Sequence, residues 1–240
     1  MTQAPLANVK AMVFDVFGTV VDWRSSVIRE LETFGRERGV AADWTAFADA
    51  WRAGYQPSMD RVRKREIPWT VIDDLHRETL ERLLPRFGVS GLSEAEKDHL
   101  NKAWHRLDPW PDALAGLTRL KGRYIIGTLS NGNVALLVNM ARRAGLPWDV
   151  VLSAELPRHY KPAPESYRSV PAFLRLDPSE VMLVAAHNND LVAAAREGLR
   201  TGFVARPTEY GPKQSRDLEA EHAFDGVARD FVHLAELMGT

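Results

Sequence analysis

Short apolar runs at residues 11–14, 124–129, 150–153, 181–185 and 201–204 alternate with stretches of helical periodicity. Helical patterns at 111–121, 134–144, 164–174 and 191–198 fall between the runs, and another at 229–238 follows the last one. Strands separated by helices cannot close into tight antiparallel hairpins. The order therefore predicts βα units and a parallel sheet with helices on both faces. In such a doubly wound α/β sheet, chemistry gathers where the chain leaves the carboxyl ends of the strands. The residues just after each apolar run are the ones to read for function.

Residues 23–108 break the alternation. They hold no convincing strand and four helical patterns, at 26–38, 44–64, 70–87 and 93–106, punctuated by Gly39, Pro68 and Gly88. Ser93, with Glu96 three residues later, is a capping box that marks the start of the fourth. The expectation is an all-helical subdomain over 23–108, inserted into an α/β core made of 1–22 and 109–240. A chain of 240 residues, 45% hydrophobic and 26% charged, has room for both.

Several function classes can be set aside. The formal net charge is −1, so no overall field recruits nucleic acid or an anionic membrane. The basic run Arg61-Val62-Arg63-Lys64-Arg65 stops at Glu66 and reads as a solvated helix face. With no cysteine, disulfides, zinc thiolates and thiol nucleophiles are excluded. No apolar run approaches the roughly 18 residues of a membrane span, and residues 1–15 lack a basic start followed by a long apolar stretch. A soluble cytoplasmic protein is the expectation.

The strand ends make a coherent set. The first run stops at Asp15, with Phe17, Gly18 and Thr19 beyond it. The second leads into Ser130-Asn131-Gly132, and after the third come Lys161-Pro162, with Tyr167 six residues past the lysine. The fourth ends in Ala185-Ala186-His187-Asn188-Asn189-Asp190. Each piece alone has an ordinary structural explanation: a turn-forming Asp, a Ser-Asn-Gly turn, a surface lysine, a satisfied histidine. Four such pieces at four successive βα junctions point instead to one crevice.

On these motifs the chain resembles the haloacid dehalogenase superfamily over essentially its whole length. FDVFGT looks like the nucleophile motif, TLSNG the second motif, Lys161-Pro162 the third and AAHNND the fourth. The resemblance implies a HAD-like (Rossmann-like) core, with the helical insert as a cap over the site. The chain is similar in particular to the L-2-haloacid dehalogenase (type II) branch. That branch has an aromatic residue where phosphatases of the superfamily carry a second Asp, matched here by Phe17. It also has a Trp-Arg pair in the cap, matched by Trp51-Arg52, and a tyrosine after the lysine, matched by Tyr167.

What the resemblance implies is a cofactor-independent hydrolase without a metal, acting on short 2-haloalkanoic acids, haloacetates included. Asp15 would displace halide from C2 and form an ester that water then opens. Lys161 would orient Asp15, and Ser130 with the Thr19 region would hold the substrate carboxylate. Arg52 and Asn131 would cradle the halide, and Tyr167 would pack against or bond the lysine and substrate region. Asp190 would orient or activate the water. His187, which the family pattern does not supply, could share that activation, donate to a bound anion, or only fill the hydrogen-bonding place of the usual Asn. Halide, fluoride apart, is a weak base and needs no proton, so an acid at position 17 is dispensable. The family habit is a homodimer. The sequence departs from the common fourth motif at Ala185, where a Ser is usual, at His187, where an Asn is usual, and at Asn189, where a bulky aromatic is usual. The competing readings are a phosphatase or phosphonate hydrolase with an atypical metal site, and a binding protein on a retired enzyme fold.

Overall fold

Every residue of β1 (Ala11–Phe14) is apolar and buried, because the strand lies inside a sheet covered on both faces. The computed structural model describes residues 6–240, so the first five residues of the stretch read for a targeting signal lie outside the described residues. Parallel neighbours flank β1: β4 (Ile125–Ser130) on one side and β6 (Val181–Ala185) on the other. Beyond β4 lies β5 (Val150–Ser153), and beyond β6 lie β7 (Arg200–Val204) and β8 (Gly226–Ala228). The order β5-β4-β1-β6-β7-β8 reverses direction at β1, so the crevice of this sheet opens at the carboxyl end of that strand.

The connecting helices are α6 (Ala113–Lys121), α7 (Val134–Ala144), α8 (Pro164–Leu174), α9 (Asn188–Arg196) and α10 (Phe231–Leu237). They bury alternate residues of each strand on opposite faces. Met12, Phe14 and Val184 pack with Phe231, whereas Ala11, Val13 and Leu183 pack with Tyr167 and Leu191. The predicted doubly wound α/β sheet with a HAD-like architecture is the one that forms.

The helical stretch lies between β2 (Val21–Asp22) and β3 (Asp108–Pro109), which pair antiparallel at its neck. Two residues each, these strands leave no periodic signal. α1 (Trp23–Arg38) starts on Asp22, whose carboxylate accepts from the Ser25 amide. The periodic stretch 44–64 is two helices rather than one: α2 (Trp44–Ala53) and α3 (Tyr55–Arg63) meet at Gly54. A Cβ there would stand 2.7 Å from the Thr79 methyl carbon of α4 (Ile72–Arg86), so the close approach needs glycine. α5 (Glu94–Asn101) begins at the Ser93/Glu96 capping box and passes into a 3-10 turn at Lys102–His105. Among the described residues, no helix is long and apolar enough to cross a membrane.

Candidate active site

Asp15 stands one residue past β1 and is 7% exposed. Gly18, at φ +86°, turns the chain back so that Thr19 comes beneath it. The Thr19 hydroxyl donates to Asp15 Oδ2 at 2.8 Å and accepts from the Ala186 amide at 2.9 Å, tying the end of β1 to the end of β6. Lys161 Nζ donates to Asp15 Oδ1 at 2.9 Å and to Asp190 Oδ2 at 2.5 Å. The other Asp190 oxygen accepts from the Tyr167 hydroxyl at 2.6 Å. Asp190 sits in the first turn of α9, which starts at Asn188, earlier than its periodicity suggests.

His187 closes the set. Its Nδ1 lies 3.1 Å from Asp15 Oδ2 and its Nε2 lies 2.9 Å from Glu209 Oε2. Both ring nitrogens face carboxylate oxygens, so both carry a proton. Burial works against that charge, but the Glu209 and Asp15 carboxylates outweigh it and raise the imidazole well above its ordinary range. Asp15 obeys the same balance in reverse. Burial favours its neutral form, yet the Lys161 ammonium and the His187 imidazolium hold it well below the usual carboxylate range. Lys161, also buried, is raised by Asp15 and Asp190. Burial and the adjacent Asp190 push the Tyr167 phenol up, so it stays a donor. At neutral pH the site holds an ionised Asp15 between two cations.

These groups open into a cleft of about 820 Å³. Asp15, Lys161, Tyr167, His187 and Asp190 line its strand-end side, and Arg52, Tyr55 and Trp23 line the side formed by the helices. Phe17 is 3% exposed and meets Tyr55 and Trp104 edge-on, at 6.3 and 6.0 Å between ring centroids, making an apolar wall. The Arg52 guanidinium lies 4.3 Å from the Tyr55 ring centroid and 5.3 Å from that of Trp23. Among the described residues its buried Nη1 has no hydrogen-bond partner, which is costly unless an anion takes it.

A family model described as haloacid dehalogenase-like hydrolase matches residues 9–198. The chain belongs to this family. Within it, the chain falls on the L-2-haloacid dehalogenase branch. It is 50% identical to a solved L-2-haloacid dehalogenase, with a TM-score of 0.93 over 95% of this chain and 97% of that one. A structure described as a defluorinating L-2-haloacid dehalogenase matches at 45% identity and a TM-score of 0.94, covering 97% and 96% of the two chains. The L-2-haloacid dehalogenase from Xanthobacter autotrophicus, solved with chloropropionic acid covalently bound, matches at 26% identity and a TM-score of 0.78, covering 95% and 98%.

Not every residue expected from the family motifs reaches the cleft of this haloacid dehalogenase-like hydrolase. Thr19 and Ser130 are fully buried and do not line it. The Thr19 hydroxyl is taken up by Asp15 and the Ala186 amide, and Ser130 Oγ accepts from the Gly132 amide at 3.1 Å. Asn131 does line the cleft, and its Oδ1 accepts from the Lys161 amide at 2.8 Å. Of the Trp51-Arg52 pair only Arg52 faces the cleft. Trp51 is fully buried among the helices, its indole donating to the His76 carbonyl at 3.0 Å. Tyr167 bonds Asp190 rather than the lysine.

The motifs give no sign of Glu209. It lies in the irregular segment between β7 and β8, is 1% exposed, and accepts from both His187 and the Trp23 indole, the latter at 3.1 Å. A Cβ at Gly18 would come within 2.1 Å of its carboxylate, so the Gly-Thr of the first motif also makes room for an acid distant in sequence.

Proposed function

We propose that this dehalogenase hydrolyses short (S)-2-haloalkanoic acids to (R)-2-hydroxy acids through an ester on Asp15. The observation that carries the reading is an ionised Asp15 at the base of the cleft, held by Lys161 and His187 beside the apolar Phe17 wall. An Asp15 oxygen attacks C2 in line with the C–X bond, the halide departs with the bonding pair, and the configuration inverts. Arg52, with a buried N–H that has no partner, is the group for the halide, and Asn131 lies on the same cleft. Because halide leaves as a weak base, Phe17 forfeits nothing by being unable to donate a proton.

Esterification removes the charge of Asp15. His187 is left with Glu209 as its remaining carboxylate partner, so its hold on the Nδ1 proton weakens. That proton leaves as the acid that hydrolysis of an alkyl halide must release. The freed Nδ1 then accepts a proton from the water that attacks the Asp15 carbonyl carbon, and collapse restores the carboxylate and frees the hydroxy acid. Glu209 keeps the ring oriented through Nε2. Asp190, engaged by both Lys161 and Tyr167, serves mainly to hold the lysine. Thr19 and Ser130, enclosed as they are, act by bracing Asp15 and the Gly132 amide rather than by touching the substrate carboxylate.

Haloacetates belong to the same reading. Fluoride is the poorest leaving group of the series, and the Arg52 and His187 cations beside the reacting carbon are the groups to stabilise it. The helices of 23–108 act as the cap that keeps bulk water from the ester, and the protein works as a cytoplasmic homodimer, which light scattering of the purified chain tests.

The decisive experiment is mass spectrometry of Asp15 after a single turnover with L-2-chloropropionate in the presence of chelator. An adduct on Asp15 with one equivalent of halide released is the expected result. Release of phosphate from p-nitrophenyl phosphate that depends on Mg²⁺, without halide release from any 2-haloacid, would overturn the reading.

A further inference from the structure

The basic run 61–65 does not all face solvent. Arg63, the last residue of α3, turns inward, and its Nη2 donates to the backbone carbonyl of Lys161. Its Nη1 donates to Asp60 Oδ1 at 2.6 Å and Gln56 Oε1 at 3.3 Å, which fixes the guanidinium to its own helix. The amide of the same lysine is held by the core, through Asn131 Oδ1 at 2.8 Å. The residue whose ammonium bridges Asp15 and Asp190 therefore has its backbone held between a strand end and a helix of the 23–108 segment.

The neighbouring contacts repeat the arrangement. Tyr160 donates its hydroxyl to the Thr70 carbonyl at 2.6 Å, and the Trp69 and Tyr160 rings lie 4.6 Å apart. A second attachment joins Asp73, at the start of α4, to the Asn133 amide group at 2.9 Å and to His105 Nε2 at 3.0 Å. Asn133 follows directly on Ser130-Asn131-Gly132. Both attachments thus end on loops that carry site residues.

We propose that Arg63 is a positioning residue that couples the seating of α3 to the placement of Lys161, so that the ammonium spans both carboxylates only when the helical segment is docked. A lysine side chain has a limited reach, so the place at which its backbone is held decides whether the ammonium can meet both carboxylates at once. An undocked α3 would leave the Lys161 carbonyl unclamped and Asp15 less firmly ionised. The nucleophile would then be fully armed only in the closed molecule. This inference rests on the reading of Asp15 as the alkyl acceptor.

The test uses the full-length protein with R63M, R63K and D60N, measuring single-turnover halide release, KM and the pH profile of kcat/KM. R63M is expected to slow halide release about tenfold with KM within about twofold of wild type, and to move the acid limb to higher pH. R63K, which keeps a cationic donor, is expected to recover most of the loss. D60N keeps an acceptor but removes the charge that anchors the guanidinium and should shift the limb the same way by less; it decides the matter if R63M does not fold. An acid limb that stays in place in whichever of these variants folds, or a loss confined to KM, overturns the clamp. A wild-type protein that releases no halide overturns the functional reading instead. The clamp is then read without turnover, from the 13C NMR titration of Asp15, whose midpoint must rise in the variants or the clamp falls.

Discussion

Two enclosed histidines of this protein, His76 and His187, differ in charge: one is neutral and the other cationic. His76, on α4, is 2% exposed and stacked on Trp104 at 4.5 Å, and among the described residues neither ring nitrogen has a hydrogen-bond partner. Burial drives it down to about 3, with the attraction of Asp73 too weak to offset that, and it is neutral at every ordinary pH. His187 is nearly as enclosed but lies between Asp15 and Glu209 and is held in the cationic form. Burial acts alike on both; carboxylate oxygens within 3.1 Å of the His187 ring nitrogens separate them. The histidine with partners is the one to which the proposed hydrolysis assigns the moving proton, and the one without partners is an aromatic plate among the helices.

Four measurements put that contrast at risk. His187→Asn removes the proposed base, and ester hydrolysis should slow by about 10²–10³-fold while one equivalent of halide is still released as a burst. Unchanged rates for both half-reactions would reduce His187 to a hydrogen-bond filler. The next effect is on pH dependence. Asp15 is depressed in the native protein, so it stays ionised as pH falls through about 4, where free carboxyl groups titrate. The burst should therefore survive in acid, while steady turnover fails as His187 in the ester keeps its proton. Burst amplitude and steady rate falling together would contradict the division of labour.

Glu209→Gln comes third. The amide can still accept from the Trp23 indole, but one of the two charges on His187 is gone. The ring should titrate at lower pH by NMR and turnover should fall about tenfold. The smallest effect belongs to His76→Phe. It removes two unpartnered ring nitrogens from an aromatic cluster, so urea unfolding should show no loss of stability and a gain of about 1 kcal/mol, with kcat unchanged. A clear destabilisation would reveal a buried partner for the imidazole and make the two histidines more alike than the structure indicates.

Much of this was legible in the sequence because it is local. The apolar runs at β1, β5 and β6 and the helical periods at α7 and α8 coincide with the elements observed, and the Ser93/Glu96 capping box forms as predicted. Each signal arises within a few neighbouring residues, from side-chain period or from a side chain bonding nearby backbone. The failures are also physical. The break at Gly54 has helical dihedrals on both sides and leaves the period intact, and β8 is three residues at a sheet edge. In both cases tertiary packing, not local preference, sets the boundary.

Local pattern is enough to place Asp15, Asn131, Lys161 and Asp190 at successive strand ends of a doubly wound α/β protein, because strand order and crossover rules carry those residues to one edge. Which groups face the cleft, and what each one touches, follows from packing. It buried Thr19 and Ser130, turned Trp51 away from the cleft and Arg52 toward it, brought Glu209 to His187 and set Arg63 on the Lys161 carbonyl. These partnerships join residues far apart in the chain or in irregular segments. No side-chain period records such pairs; they follow from how the layers pack.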